Sequence, residues 1–366
     1  MPRHFALAAA APVPSPGRQD RHFRLCKTGG GVSTIARQRQ AGAMPEAIAL
    51  GELLVDFVSI DKDVGLAELP GFAGAAGGAP ANVAVGLSRM GVTAGFIGKV
   101  GADPFGDFLR RTLLSAQVEV THLRAAEGVR TTLAFVATRS DGKKDICFYR
   151  NPGADAQLTP EELDVGYLRS ARLFHFGSVS LSASPAREAT LAAAQEARAS
   201  GLLVCYDPNW RPGLWEGQGE ARATVQAALP LAHVVHCAEE EWEFVAGTAD
   251  LAEGARRMLA LGPELVVVTQ GERGCYFDNG EGRGSVGGFA VTVVDPLGAG
   301  DAFVAALLSR LIGLSRPGKL DRGELAEIMR FANAAGALTC TKRGVIPSLP
   351  TAQQVAAFME AAGEGG

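Results

Sequence analysis

From Ile48 onward the chain alternates between short apolar runs and longer helix-like segments. Ala47 to Ile60 is a long apolar run, bent at Gly51 and carrying Asp56. Ala81 to Met90 reads as a helix with small residues on one face, Ala94 to Val100 as a strand, and Pro104 to Leu114 as a helix. Thr131 to Thr138 and Asp145 to Tyr149 are β-rich and flank the turn Ser140-Asp141-Gly142, a hairpin signal. A regular alternation follows. Strands are predicted at Leu173 to Val179, Leu202 to Asp207, Val234 to Ala238, Leu265 to Thr269 and Phe289 to Val294. Helices are predicted at Arg187 to Ser200, Ala221 to Leu229, Leu251 to Leu261, Ala299 to Ile312 and Glu324 to Thr339. Runs such as Leu265-Val266-Val267-Val268, separated by helices, indicate βαβ units and a parallel sheet covered on both faces. The early hairpin and the end of the first strand fall outside that rhythm. They predict a small β flap, built from about 52–60 and 128–150, of the kind that excludes water from a transfer reaction.

Composition narrows the class. At 366 residues, with 47% hydrophobic and 20% charged positions, the chain can bury a large core. Its 46 glycines cluster between apolar runs, as tight turns and backbone-lined ligand loops require. A net charge of −4 gives no basic excess for nucleic acid. No apolar stretch approaches the ~18 residues of a membrane span. The six cysteines are scattered without a C-x-x-C pair, which speaks for reduced thiols in the cytoplasm.

Residues 1–43 stand apart. Seven basic residues against the single acid Asp20 give this tail a net +6, which leaves −10 on the remainder. Three readings stay open: a plastid-type transit peptide, a disordered tail, or a translated leader that the native protein lacks, since Met44 precedes a convincing first strand. All three place the tail outside a single domain of residues 44–366.

The strongest chemical candidate is the string Asp295-Pro296-Leu297-Gly298-Ala299-Gly300-Asp301-Ala302-Phe303. Gly298 and Gly300 let backbone amides converge at a helix N-terminus, where the dipole favours an anion. Asp301, in the same turn, can accept a proton from an attacking hydroxyl. Alone, the string also reads as an ordinary Asp at a helix start after a glycine turn. There is no G-x-S-x-G, no Walker A string and no G-x-G-x-x-G after the first strand, and the histidines show no metal spacing.

That string closely resembles the C-terminal signature of the ribokinase-like (pfkB) carbohydrate kinases, D-T-x-G-A-G-D-x-F, with Pro296 in place of Thr. Gly77-Gly78-Ala79-Pro80-Ala81-Asn82 looks like the family's N-terminal G-G-x-x-x-N signature. Gly51-Glu52 with Asp56-Phe57, Phe148-Tyr149-Arg150-Asn151-Pro152 and Phe331-Ala332-Asn333-Ala334-Ala335-Gly336-Ala337 are similar to the fructokinase branch. The resemblance spans about residues 46 to 357.

The resemblance implies a ribokinase-like three-layer α/β sandwich with a mostly parallel central sheet and a small β lid. It implies a catalytic turn of Gly298, Ala299, Gly300 and the base Asp301. The sugar pocket would include Asp56, Gly77, Gly78 and Asn82, with Arg130 and Asn151 as further candidates; Asp56 read without the family is an edge-strand charge. ATP would be held by Asn209, Arg211, Thr269, Gly271, Gly274 and Asn333, and Trp210 is read as packing. Glu241 would reach Mg²⁺ through water, although Ala238 stands where the family has Asn or Ser, and His236 stands where relatives often have Lys. Asp295 and Ser348 would sit beside a monovalent cation, K⁺. The activity implied is ATP-dependent phosphorylation of fructose in the cytoplasm, with ribose or 2-keto-3-deoxygluconate as alternative acceptors. A non-catalytic scaffold is the rival from another class, and the exposed β flap invites a homodimer.

Overall fold

A computed structural model describes residues 44–68, 70–139, 144–314 and 316–363. The tail 1–43 and the turn Ser140-Asp141-Gly142 lie outside the described residues.

Among the described residues nine strands form the main sheet: β1 (Ala47–Leu50), β4 (Ala94–Gly101), β5 (Leu123–Ala126), β8 (Leu173–Gly177), β9 (Leu203–Asp207), β10 (Val234–Ala238), β11 (Leu265–Thr269), β12 (Cys275–Asp278) and β13 (Arg283–Val286). Their order is β13-β12-β11-β10-β9-β8-β1-β4-β5, parallel from β5 to β11, with β12 and β13 antiparallel at one edge. The remaining four strands, β2 (Leu54–Lys62), β3 (Phe72–Gly77), β6 (Leu133–Thr138) and β7 (Lys144–Tyr149), make a separate sheet in the order β3-β2-β6-β7.

Helices cover both faces of the main sheet because its strands are apolar on both sides. In β1, Ala47 and Ala49 join the core cluster of α1 (Ala79–Arg89), α2 (Pro104–Ser115), α8 (Ala299–Leu311) and α9 (Arg322–Thr339). Ile48 and Leu50 join the opposite cluster, with α3 (Val165–Arg169), α4 (Ala186–Ala199), α5 (Gln218–Ala228), α6 (Glu239–Ala246) and α7 (Leu251–Leu259). The two-residue period of the strand splits its side chains this way. On the first face small residues bring backbones close: a Cβ on Gly86 of α1 would lie 2.5 Å from Ala305 Cβ of α8. The ribokinase-like layering and the β lid are therefore as expected. The helices α10 (Val345–Ser348) and α11 (Ala352–Gly363) close the chain, and among the described residues no helix is long and apolar enough to cross a membrane.

Two expectations are corrected. Ala47 to Ile60 is not one bent run: β1 belongs to the core sheet and β2 to the lid, the chain passing between them at 51–53. Phe289 to Val294 is not a strand. It runs without ladder partners along the protein surface, with Val293 59% and Val294 41% exposed. Its β-branched residues satisfy a propensity that here finds no neighbouring strand. Strand β3 escaped the sequence pattern, because Phe-Ala-Gly-Ala-Ala-Gly lacks β-branched residues.

The lid has two unlike faces. Leu54, Asp56, Val136, Ile146 and Phe148 face a cavity above the core sheet. On the other face Phe57 stacks on Phe135 at 5.2 Å, and Phe135 meets Phe72 and Tyr149 edge-on. Tyr149 is 66% exposed.

Candidate active site

The cavity, about 1130 Å³, lies outside the carboxyl ends of the parallel strands, where open α/β sheets gather ligands. One side of it lies between the lid and the first turns of α1 and α8. Asp56 reaches it from β2, and Gly78 and Asn82 from the entry of α1. Gly77 packs behind Asp56, since a Cβ there would lie 2.0 Å from Asp56 Oδ2. Gly78, at φ 110°, passes so close to the strand exit that a Cβ would meet Glu52 O at 2.3 Å.

Asn82 Nδ2 donates to Asp301 Oδ2 at 2.8 Å, bridging two motifs 219 residues apart in sequence. Gly298, at φ 80°, turns the chain into α8, and a Cβ on it would lie 2.4 Å from Val345 Cγ1. A Cβ on Gly300 would meet nothing within 4 Å, so its backbone is bare toward the cavity. Ala299 N points back to Pro296 O at 3.4 Å, while Ala302 N makes the first helical bond to Gly298 O. The first-turn amides of a helix have no partner within it, and the dipole adds partial positive charge at that end. This turn can therefore hold an anion next to the Asp301 carboxylate.

The second half of the cavity is built from Asn209, Arg211, Thr269, Gly271, Gly274 and Asn333. Asn209 adopts φ 44°, unusual for a residue with a side chain. Gly271, at φ 59°, opens the turn after β11, with empty space where a Cβ would stand. Asn333 Nδ2 donates to Val286 O at 3.1 Å and Gly287 O at 3.2 Å, fixing the exit of β13. Trp210 packs against Phe244, ring centroids 3.8 Å apart and 7° from parallel, in keeping with a packing residue.

Beneath this half sits a buried charged cluster. His236 Nδ1 lies 3.3 Å from Asp207 Oδ1, and its Nε2 pairs with Thr269 Oγ1 at 3.2 Å. Burial opposes a charge on His236, but Asp207, Glu241 and Asp301 outweigh it and raise its pKa. Burial likewise opposes the Asp207 charge, and His236 overcomes it, holding that carboxyl below its usual range. His175, buried nearby, is pushed down to about 4 and stays neutral. Burial and then Asp207 push Glu241 up to about 6. Glu241 accepts Trp210 N at 2.6 Å and Ala238 N at 3.1 Å, so it braces the turn after β9 as well as lining the cavity.

A match to a family model settles the assignment: the pfkB family carbohydrate kinase description fits residues 44–352. The chain belongs to the pfkB family of carbohydrate kinases. This pfkB kinase is 42% identical to fructokinase-2 of Solanum habrochaites, over 86% of this chain and 95% of that one. Among solved structures it is similar to the fructokinase with bound ATP from Xylella fastidiosa: TM-score 0.79, 31% identity, 87% of this chain and 99% of that one. It is also similar to the fructokinase from Vibrio cholerae O395 with fructose, ADP and calcium ion: TM-score 0.77, 33% identity, 86% and 99% covered.

Several sequence candidates of this pfkB kinase lie away from the cavity. Arg130 and Asn151 are exposed and do not line it; they stand where the chain passes between core and lid. Asp295 accepts Leu297 N and Gly344 N, each at 3.0 Å, and so ties the anion turn to the loop before α10. Ser348 is buried and donates to Val345 O at 2.8 Å. The motifs include Glu52 only as part of a family string and give Glu52, Asp207 and His236 no role of their own, though all three line the cavity. The available signal was a polar residue inside an apolar strand, as His236 is in Val-Val-His-Cys-Ala.

Proposed function

We propose that this kinase transfers the terminal phosphoryl group of ATP to the primary hydroxyl of fructose, with Asp301 as the general base. The observation that carries this reading is the Asn82–Asp301 hydrogen bond, which orients a carboxylate beside a bare helix N-terminus and under a lid. The fructokinase names of the relatives, and the fructose and ADP held by the Vibrio cholerae structure, support the choice of substrates.

In this mechanism Asp56 and Asn82 hydrogen-bond the sugar hydroxyls against glycine backbone. Asp301 accepts the proton of the attacking hydroxyl, a contribution of about two to four orders of magnitude. The Gly298–Gly300 turn then stabilises charge on the transferring group. Asn209, Arg211, Thr269, Gly271, Gly274 and Asn333 bind the nucleotide. Among the described residues no group of three or more His, Cys, Asp or Glu is placed to hold a metal directly. A Mg²⁺ ion therefore fits as one carried by the nucleotide and approached through water from Glu241; when bound, it neutralises phosphate oxygens. Asp295, which accepts Leu297 N of the anion turn, and Ser348 are the oxygen donors that would stand beside K⁺. Pairing of the exposed aromatic lid faces would give a homodimer, to be read from the mass in solution. Location is read as cytoplasmic, or plastid if residues 1–43 act as a transit peptide.

A coupled assay of ADP release with fructose, ribose and 2-keto-3-deoxygluconate tests the substrate. Fructose is expected to give the highest kcat/KM. Preference for another sugar would replace the acceptor, and no turnover with any of them would favour a scaffold.

A further inference from the structure

The lid hangs from the core by four chain crossings, at 51–53, 78, 127–132 and 150–153. Two buried carboxylates tie these crossings together. Glu52, on the first, accepts Ala79 N at 2.9 Å just past the second. Helix α1 has no side-chain cap of its own, so Glu52 satisfies a first-turn donor that the helix itself leaves without a partner. Asp155, just past the fourth crossing, accepts Thr132 Oγ1 from the third and Arg150 Nε, at 2.8 Å, from the fourth. Arg150 continues into the core, donating to Ser182 Oγ at 2.7 Å and Val179 O at 3.3 Å.

Backbone bonds complete the frame. Val55 N to Thr132 O, at 3.1 Å, joins the start of β2, just past the first crossing, to the third, and Ala154 N to Arg130 O, at 2.9 Å, joins the third to the residue just past the fourth. There is no slack here: a Cβ on Gly153 would lie 1.9 Å from Thr132 Oγ1 and 2.8 Å from Asp155 Oδ1. Glu52 and Asp155 are each only 3% exposed. Buried hydrogen bonds, charge-assisted where Arg150 meets Asp155, resist bending more than the exposed lid strands do.

We propose that Glu52 and Asp155 are positioning residues that fix the pivot on which the lid closes. Both touch the frame, and neither needs to touch the reacting atoms. A shifted pivot would carry Asp56, on the lid, out of register with Asp301, on the core, and small misplacements of that kind are costly. The inference rests on the reading above, in which the sugar binds beneath the lid.

The test is kinetic, on the full chain. Asp155→Ala and Glu52→Ala are expected to raise KM for fructose about 10- to 100-fold, the loss of one hydrogen bond to a buried charge. The Kd for ATP without sugar should stay within about twofold, since that half of the cavity rests on other elements. Glu52→Gln, which still offers an acceptor to Ala79 N, is expected to recover most of the loss. Unchanged KM for fructose, or an equal loss of ATP affinity, overturns the proposal.

Should the alanine variants fail to fold, hydrogen exchange on the wild type decides. On adding fructose, amides of β2, β6 and β7 should gain protection while those of Ala79 and Ala154 stay equally slow. A change at Ala79 and Ala154 as large as in the lid overturns it. A wild-type protein inactive on fructose would instead unseat the substrate reading itself.

Discussion

Replacing Glu52 with Gln should change how stability depends on pH. Burial, opposed by hydrogen bonds from its own backbone amide and Ala79 N, raises the Glu52 pKa from 4.5 to about 7; Asp155 adds to the rise and Arg150 offsets part of it. A raised folded-state pKa on a carboxylic acid means the folded chain binds more protons than the unfolded one between these values. Stability therefore falls as pH rises from about 4.5 through 7, then levels off. Between pH 5 and pH 8 the loss comes to about 2–3 kcal/mol, at 1.36 kcal/mol per pKa unit. Glutamine cannot ionise and lacks this loss. Urea unfolding of both proteins at pH 5 and pH 8 measures it: the stability difference should move by about 2–3 kcal/mol toward the variant at pH 8. Comparing differences cancels the fixed effect of placing an amide there. Parallel pH profiles for the two proteins would mean that Glu52 ionises normally, and the desolvation argument would fail.

Asp301→Asn should lower turnover about 10²- to 10⁴-fold while ATP binding, followed by calorimetry, persists; near-normal turnover would dismiss Asp301 as base. Gly298→Ala meets both a φ of 80° and Val345 Cγ1 at 2.4 Å, and denaturant unfolding should register a loss of about 1–3 kcal/mol. Gly300→Val meets open space, so its unfolding midpoint should barely move while turnover drops at least about tenfold as the side chain crowds the anion turn. Dialysis against a chelator should abolish turnover and added Mg²⁺ restore it, measured by the same coupled assay; full activity after chelation would remove the metal from the mechanism.

The fold is most legible in the sequence where one element carries its own signal. The parallel strands stood out because a strand buried on both faces must be apolar throughout, as Leu265 to Val268 is. The anion turn stood out through its resemblance to the family signature, whose first glycine the structure explains: Gly298 takes φ 80°, which only glycine does without strain. The fold is not legible where a segment's role depends on a distant partner. Phe289 to Val294 has the composition of a strand and, among the described residues, no strand beside it. β3 lacks that composition, yet it pairs with β2 from Leu54↔Gly77 to Ser59↔Phe72.

The chain by itself thus determined its layers, its glycine turns and the two signatures, since each rests on local sterics and on hydrophobic burial repeated within a few residues. Only the tertiary structure decided that Asn82 would hold Asp301, that Arg130 and Asn151 would stand at crossings rather than in the cavity, and that Glu52 would lose its ordinary acidity. Those outcomes depend on contacts between residues far apart in sequence and on exclusion of water, and neither is written in any single segment.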